Sequence, residues 1–275
     1  MENWDDLRYL VAVHKAGTMT GAARILGANV GTVSRRLDRL AGTLGLSPFH
    51  KTPEGWVPNP EIAGLVEAAE AFEGQIRTAM NRRRGPQGDP VLVRLRCPPV
   101  VSTMRLLPNL PGLQSAAPNL RLHIESSVNV NTLGDNDLII TTQLPEKGRL
   151  VAKSIGTVAF ALFSGVEGNE RGWVGLPEEF DEHPPMRMAR AWFGGPPVFR
   201  LDNLAQVADT VAATGLAGPL PVEMGRARGF VPLDDNTHDL QLWQCFHETR
   251  RGDPVLAQVI DWIDRSISPR PITAA

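Results

Sequence analysis

The sequence predicts an α plus α/β fold in three parts: a small three-helix unit with a hairpin, one long helix, and a larger region where strands alternate with helices. Three observations carry this. Short helical patterns before residue 45 are broken at Gly17 and Gly27. Between Ile62 and Ala79, apolar residues recur at alternating three- and four-residue steps. Beyond residue 90, VLVRLRC, LRLHIESS and DLIITT read as strands with helical text between them.

Composition sets the outer limits. At 275 residues the chain is long for one core and reads as two or three domains. Apolar content of 42% and charged content of 21% are those of a globular protein. Net charge is -2, and residues 1–90 hold 11 Lys/Arg against 10 Asp/Glu, the remainder 17 against 20. Neither part is a general polyanion binder, so any nucleic-acid contact has to come from local charge placement. The longest apolar run, near Gly156 to Val166, is too short and glycine-broken to cross a bilayer. The acidic start MENWDD is unlike a secretory signal, and two cysteines make no disulfide framework. The expected compartment is the cytoplasm, with no membrane contact.

Leu7, Leu10, Val11 and Val13 give an apolar face to a first helix from about Trp4 to Lys15, closed by Gly17. Thr18 or Thr20 can cap a second, TGAARILG. Asn29 is the expected N-cap of a third, in which Val33, Leu37, Leu40 and Leu44 form one stripe. Thr32, Arg35 and Arg39 fall opposite that stripe, with Gly31 at its start and Arg36 on its flank. Such a helix is anchored by its apolar stripe and can turn its outer face to base edges and phosphates, both of which suit arginine's planar fork. The plain alternative is a solvated face in which Arg36 pairs with a nearby acid. The helix-turn-helix context favours DNA. PFHKTPEGWVPNP then reads as a hairpin around Thr52-Pro53-Glu54-Gly55, a wing from which Lys51 reaches phosphate or minor groove.

WDDLRYLVAV, TGAARILG, TVSRRLDRLAGTLG and FHKTPEGWVPNP together resemble the winged helix-turn-helix of LysR-type transcriptional regulators, over nearly sixty residues. Two departures stand out. Asn29, Val30 and Gly31 occupy places where the family usually has serine, glutamine and a proline or small residue, and Pro48 stands where leucine is common. Asn29 still caps, but Val30 lacks a glutamine's hydrogen-bonding groups, so an inherited base preference is not expected. The DNA-binding set is Asn29, Val30, Thr32, Arg35, Arg36, Arg39 and Lys51, with Thr32 and Arg35 on base edges and Arg36, Arg39 and Lys51 on phosphates. The expected boundaries are 1–60 for this domain, 61–84 for the following helix and 85–90 for a hinge.

Ile62, Leu65, Ala69, Phe72 and Ile76 form a heptad seam on that helix, with Glu67, Glu70 and Glu73 on its wet faces. It either packs on its own domain or pairs with a second copy; the resemblance implies a dimer, and by family habit a tetramer. Gly64 and Gly74 weaken the helix by about 1 kcal/mol each relative to alanine.

Residues 91–268 resemble the family's effector domain, a periplasmic-binding-protein-like pair of lobes. The carrying segments are RLLPNLPGLQSAAPNLRLHIE, DLII, LPEKGRLVAKSIGT and GLAGPLP, in which Ala217 replaces the usual second glycine. Lobe I is expected at 91–158 plus 237–268, lobe II at 159–236, and a tail at 269–275. Lobe II is short after Phe163, as though one of the usual helices were missing. Ligands of such folds sit between the lobes, at strand ends and helix starts. The effector candidates are Ser102, Thr103, Ser126, Ser127, Thr141 and Thr142 from lobe I, and Phe199, Arg200 and Asn203 from lobe II. Hydroxyls and free N–H groups there suit a small anion such as a carboxylate.

Catalytic and metal motifs are missing from the text: no Walker loop, no strand-linked GxGxxG, no GxSxG, and no zinc spacing among the histidines. Neither cofactor nor enzymatic activity is expected, and Cys97 and Cys245 read as core thiols. The expected function is DNA-binding transcription regulation modulated by a small molecule between the lobes, with RNA polymerase a possible further partner. Two rivals remain at this point: a ligand-independent DNA-binding protein whose second half serves oligomerisation or protein contacts, and a small-molecule binding protein or enzyme.

Overall fold

The computed structural model describes residues 4–52, 55–83, 89–128, 130, 132–145, 149–166 and 171–267. Most of the expected hinge and the whole tail lie outside these residues, as do Arg84, Asn129 and the hairpin-tip residues Pro53 and Glu54.

The first domain is α1 (Asp5–Ala16), α2 (Met19–Leu26) and α3 (Val30–Leu44), followed by the hairpin β1 (Phe49–Thr52) and β2 (Gly55–Pro58). Its ends follow from the caps. Thr18 Oγ1 accepts the Gly21 N–H at 3.0 Å and Asn29 Oδ1 accepts the Thr32 N–H at 2.7 Å, while Gly17, Gly27 and Gly45 close the helices in the left-handed conformation. Leu10, Val13, Ala22, Val33 and Leu40 form the buried centre. The hairpin is docked on this core by Trp56 N–H, which donates to Gly17 O at 2.8 Å. Only glycine fits at Gly55: its φ is +131°, and a Cβ there would stand 2.6 Å from Gly17 O.

A 3-10 turn (Pro60–Ile62) opens the long helix α4 (Ala63–Arg83). Its apolar seam does not act as one surface. Ile62 and Ala69 are buried in the core of the first domain and Leu65 packs against it, whereas Phe72 and Ile76 are 55% and 45% exposed. Of the expected five-residue dimer seam, the first half is therefore closed to a second copy, because α1 lies along it.

The remainder is one curled sheet in the order β10-β6-β11-β5-β3-β4, with β9 also on β6. Parallel strands β3 (Val91–Cys97), β4 (Leu120–Ser126) and β5 (Leu138–Thr141) belong to its first part. Two long antiparallel strands, β6 (Leu150–Ser164) and β11 (His238–His247), pair from Leu150↔His247 to Phe160↔His238. β6 then continues onto β9 (Ala217–Pro221) and β10 (Val231–Pro232). Val158 and Phe160 on β6 pack in one apolar core, with Leu95, Leu138, Leu256 and Trp262; Ala161, Leu162 and Phe163 pack in another, with Trp173, Met186 and Val207.

Helices cover both parts. α5 (Pro99–Val101) leads through an irregular helical stretch at 102–109 into α6 (Leu110–Ala116), so the helix expected here is broken by Pro108 and Pro111. Around the second core run the short strands β7 (Val174–Gly175) and β8 (Phe199–Arg200) and the helices α7 (Pro184–Phe193), α8 (Leu204–Thr214) and α9 (Val222–Ala227). The short second lobe therefore still carries α7, a helix whose opening proline pair gives no helical signal in the sequence. Pro184-Pro185 reads as loop, yet proline is well tolerated in a first helical turn. α10 (Pro254–Ile267) closes the first core. Among the described residues no helix is long and apolar enough to cross a membrane.

Candidate nucleic-acid interface

The outer face of α3 holds Gly31, Arg35, Asp38 and Arg39, all exposed, while Val33, Leu37 and Leu40 are buried. The three arginines are not equivalent. Arg35 projects from the surface, with Nη2 3.4 Å from Thr32 Oγ1. Arg36 and Arg39 instead converge on Asp6 of α1. Arg36 Nη1 donates to Asp6 Oδ1 at 3.0 Å, Arg39 Nε donates to Asp6 Oδ2 at 2.7 Å, and Arg39 Nη2 also donates to Oδ1. The Arg36 guanidinium lies over the Tyr9 ring, 5.3 Å from its centroid, and 3.5 Å from Asp5. Bonding from Arg39 outweighs burial and, helped by Arg36, holds the Asp6 carboxyl below its ordinary value. The plain reading of Arg36, pairing with an acid, thus holds in the structure and extends to Arg39. Asp6 was missed from sequence because it stands thirty residues from Arg36.

Asn29 caps α3, Val30 at its tip is 44% exposed, and Lys51 is exposed on β1.

Residues 4–61 match the family model for the bacterial regulatory helix-turn-helix protein, lysR family. Along almost the whole chain there is also 27% identity to the Mau operon transcriptional activator of Paracoccus denitrificans, over 94% of this chain and 95% of that protein. The first domain is a LysR-family DNA-binding domain, and the chain as a whole resembles a LysR-type transcriptional regulator. ArgP from Mycobacterium tuberculosis has the same fold, with a TM-score of 0.70 at 13% identity and 98% coverage of both chains. So does full-length LysG from Corynebacterium glutamicum with bound effector Arg, with a TM-score of 0.58 at 16% identity, covering 97% of this chain and all of that one. As LysR-type regulators bind DNA and form oligomers, α3 and the second half of α4 are the surfaces of first interest.

α4 joins the first domain to the sheet-containing second domain through a chain of charges between residues far apart in sequence. Lys15 Nζ on α1 donates to Glu73 Oε2 at 2.8 Å, and Arg77 bonds both Glu73 Oε1 at 3.1 Å and Asp137 Oδ1 at 2.5 Å. Arg250 Nη1 donates to the same Asp137 oxygen at 2.6 Å and its Nε to Asp253 Oδ2 at 2.9 Å, where Asn81 of α4 also donates at 2.9 Å. Gly74 permits this approach, since a Cβ would lie 2.1 Å from Thr249 Oγ1. Burial alone would raise the Asp137 carboxyl; Arg77, Arg250 and the Arg94 N–H outweigh it and hold it below the ordinary value.

The residues expected to meet an effector are mostly engaged with neighbouring groups of the chain itself. Ser102 Oγ donates to Pro99 O and lies 2.9 Å from Ser126 Oγ, and Thr141 Oγ1 bonds Gln143. Ser127 N–H donates to Cys97 O at 3.0 Å; Thr103 is exposed and Thr142 half-buried. On the other lobe Arg200 is bidentate on Asp181, Asn203 caps α8 and Phe199 is exposed. The cleft between the lobes, of about 240 Å³, is lined by different residues: Val100, Met104 and Arg105 face Val222, Glu223 and Arg226 across Thr157–Ala159. An Arg105–Glu223 ion pair bridges it. The hydroxyl pattern gave no signal for this pair; only the fold brings residues 118 apart together. Cys97 and Cys245 belong to different apolar clusters, and burial pushes their thiols up to about 12 and about 11, so both stay protonated and inert at neutral pH.

Proposed function

We propose that two copies of this regulator pair through the exposed half of α4 and set their α3 helices in the major groove at two half-sites of a DNA dyad. The single observation that carries the docking is the exposed, core-anchored face of α3 beside the wing. Arg35 reads a base edge with Thr32 beside it, and Lys51 meets phosphate. Arg36 and Arg39 share Asp6, so this pair contributes about one net positive charge to the phosphate backbone rather than two. The protein acts in the cytoplasm, where pairs of dimers and contact with RNA polymerase complete the regulatory complex.

Arg35→Ala is expected to cost about 1–3 kcal/mol on the cognate site and to relax preference at one position. Lys51→Ala should weaken all sequences alike and reduce the salt slope by about one. Fluorescence anisotropy on cognate and scrambled duplexes checks both; unchanged affinity in the two variants would refute this docking.

For the effector the reading is a small carboxylate entering the cleft and competing with Glu223 for Arg105. Supporting it are the two cations on the cleft wall and the bound effector of LysG. The cleft's small volume and its bridging ion pair favour the alternative, a regulator that needs no ligand. A thermal-shift panel of small mono- and dicarboxylates separates them: a rise in Tm that Arg105→Gln abolishes supports the effector, and a flat panel supports the alternative.

A further inference from the structure

We infer that Val30 reads the 5-methyl group of a thymine in each half-site. The inference rests on the proposed docking of α3 in the major groove and adds to it the base chemistry under the helix tip. Val30 is the first residue of α3 and lies beyond the buried stripe that begins at Val33; it is 44% exposed on an otherwise polar tip. The polar groups around it are already engaged. Asn29 Oδ1 accepts the Thr32 N–H at 2.7 Å, and Thr32 Oγ1 lies 3.4 Å from Arg35 Nη2. Gly31 has no side chain to hold the tip off the bases, and a Cβ built there would meet only Asn29 Oδ1, at 3.5 Å.

What a valine can meet at the floor of the major groove is limited by chemistry. Guanine and adenine present acceptors and an amino group there, and cytosine presents an amino group. An isopropyl group against any of these strips water from a polar edge and returns no hydrogen bond. Thymine alone among the four bases offers a methyl group. Burying that methyl against Val30 favours thymine by about fourfold per half-site, and by about fifteenfold for a dyad. Arg35, one turn further along the helix, meets a neighbouring base pair through hydrogen bonds, so the two side chains impose different kinds of preference on adjacent positions.

The test uses the full-length protein and a duplex enriched by it from a random-sequence pool. Each half-site thymine is replaced symmetrically, one position at a time, by deoxyuridine, which removes only the methyl group. One position is expected where the replacement weakens binding about fifteenfold. Val30→Ala should bind the thymine and deoxyuridine duplexes within about twofold of each other, the residue being too exposed for the change to disturb the fold. Tight, selective binding with no deoxyuridine-sensitive position would overturn the inference. So would a sensitive position that persists undiminished in Val30→Ala, since another side chain would then be reading the methyl. Failure of the pool to enrich any sequence would overturn the docking itself.

Discussion

Arg250→Ala is expected to lower stability by about 3 kcal/mol, a large share of what a domain of this size has. Arg250 is 6% exposed, and its partner carboxylates on Asp137 and Asp253 are buried to 1% and 0%. Removing one cation leaves two buried carboxylates short of a partner, which costs about 3–5 kcal/mol. The lower figure applies because substitutes remain. Arg77 still bonds Asp137, and the Val255 and Leu256 N–H groups still donate to Asp253 at the start of α10. Arg149→Ala is the control: its pair with Glu248 is 53% and 38% exposed and should change stability by less than about 1 kcal/mol. Urea unfolding of both variants measures the difference, and equal midpoints would show the buried network to be energetically idle.

The same network sets an acid limb. With Asp137 held below its ordinary value in the folded state, its contribution is complete above the unfolded carboxyl value of about 4 and is lost as pH falls through the lower folded value. Without Arg250 the depression shrinks, so Tm should begin its fall at higher pH in the variant than in the wild type. Because Arg77 and Asn81 come from α4, this loosening should also free the long helix from the sheet-containing second domain.

Replacing both Phe72 and Ile76 by glutamate should split the dimer and weaken binding to a two-half-site duplex by about a hundredfold or more, the gain that linked sites normally provide. The two residues, with Met80 at 52% exposure and Trp4 at 68%, are large apolar side chains on the surface of one protomer. Trp4 and Phe72 already touch, with ring centroids 6.5 Å apart. Charge placed there costs the monomer little and the interface much. Sedimentation velocity decides: a variant that stays dimeric would move the interface elsewhere.

These two expectations also mark where the sequence was readable. Helix ends in the first domain were legible because they are local: Thr18 and Asn29 cap, and Gly17 and Gly27 stop the helices, all within a few residues. The heptad seam of α4 was visible as a pattern, but a period cannot say what covers it. Ile62 and Ala69 are covered by the chain's own α1 side, and Phe72 and Ile76 are left outside. Arg36 and Arg39 were visible as a patch, yet their fate depends on Asp6, which only the crossing of α1 and α3 brings near. The Asp137–Arg77–Arg250 junction is the extreme case, joining residues 60 and 113 positions apart. Around the cleft, serines and threonines at strand ends looked like ligand groups, but short side-chain hydroxyls bond their own neighbours first, as Ser102 and Thr141 do.

Selection of binding sites from a random duplex pool, followed by anisotropy of the winner against a scrambled duplex between about 50 and 200 mM salt, tests the central claim most directly. Paired α3 helices docked on a dyad predict convergence on an inverted repeat with half-site centres about one helical turn or a multiple apart. A preference of at least about a thousandfold over scrambled DNA and a steep salt slope are expected as well. A pool that never converges, with equal affinity for both duplexes at every salt concentration, would contradict that claim.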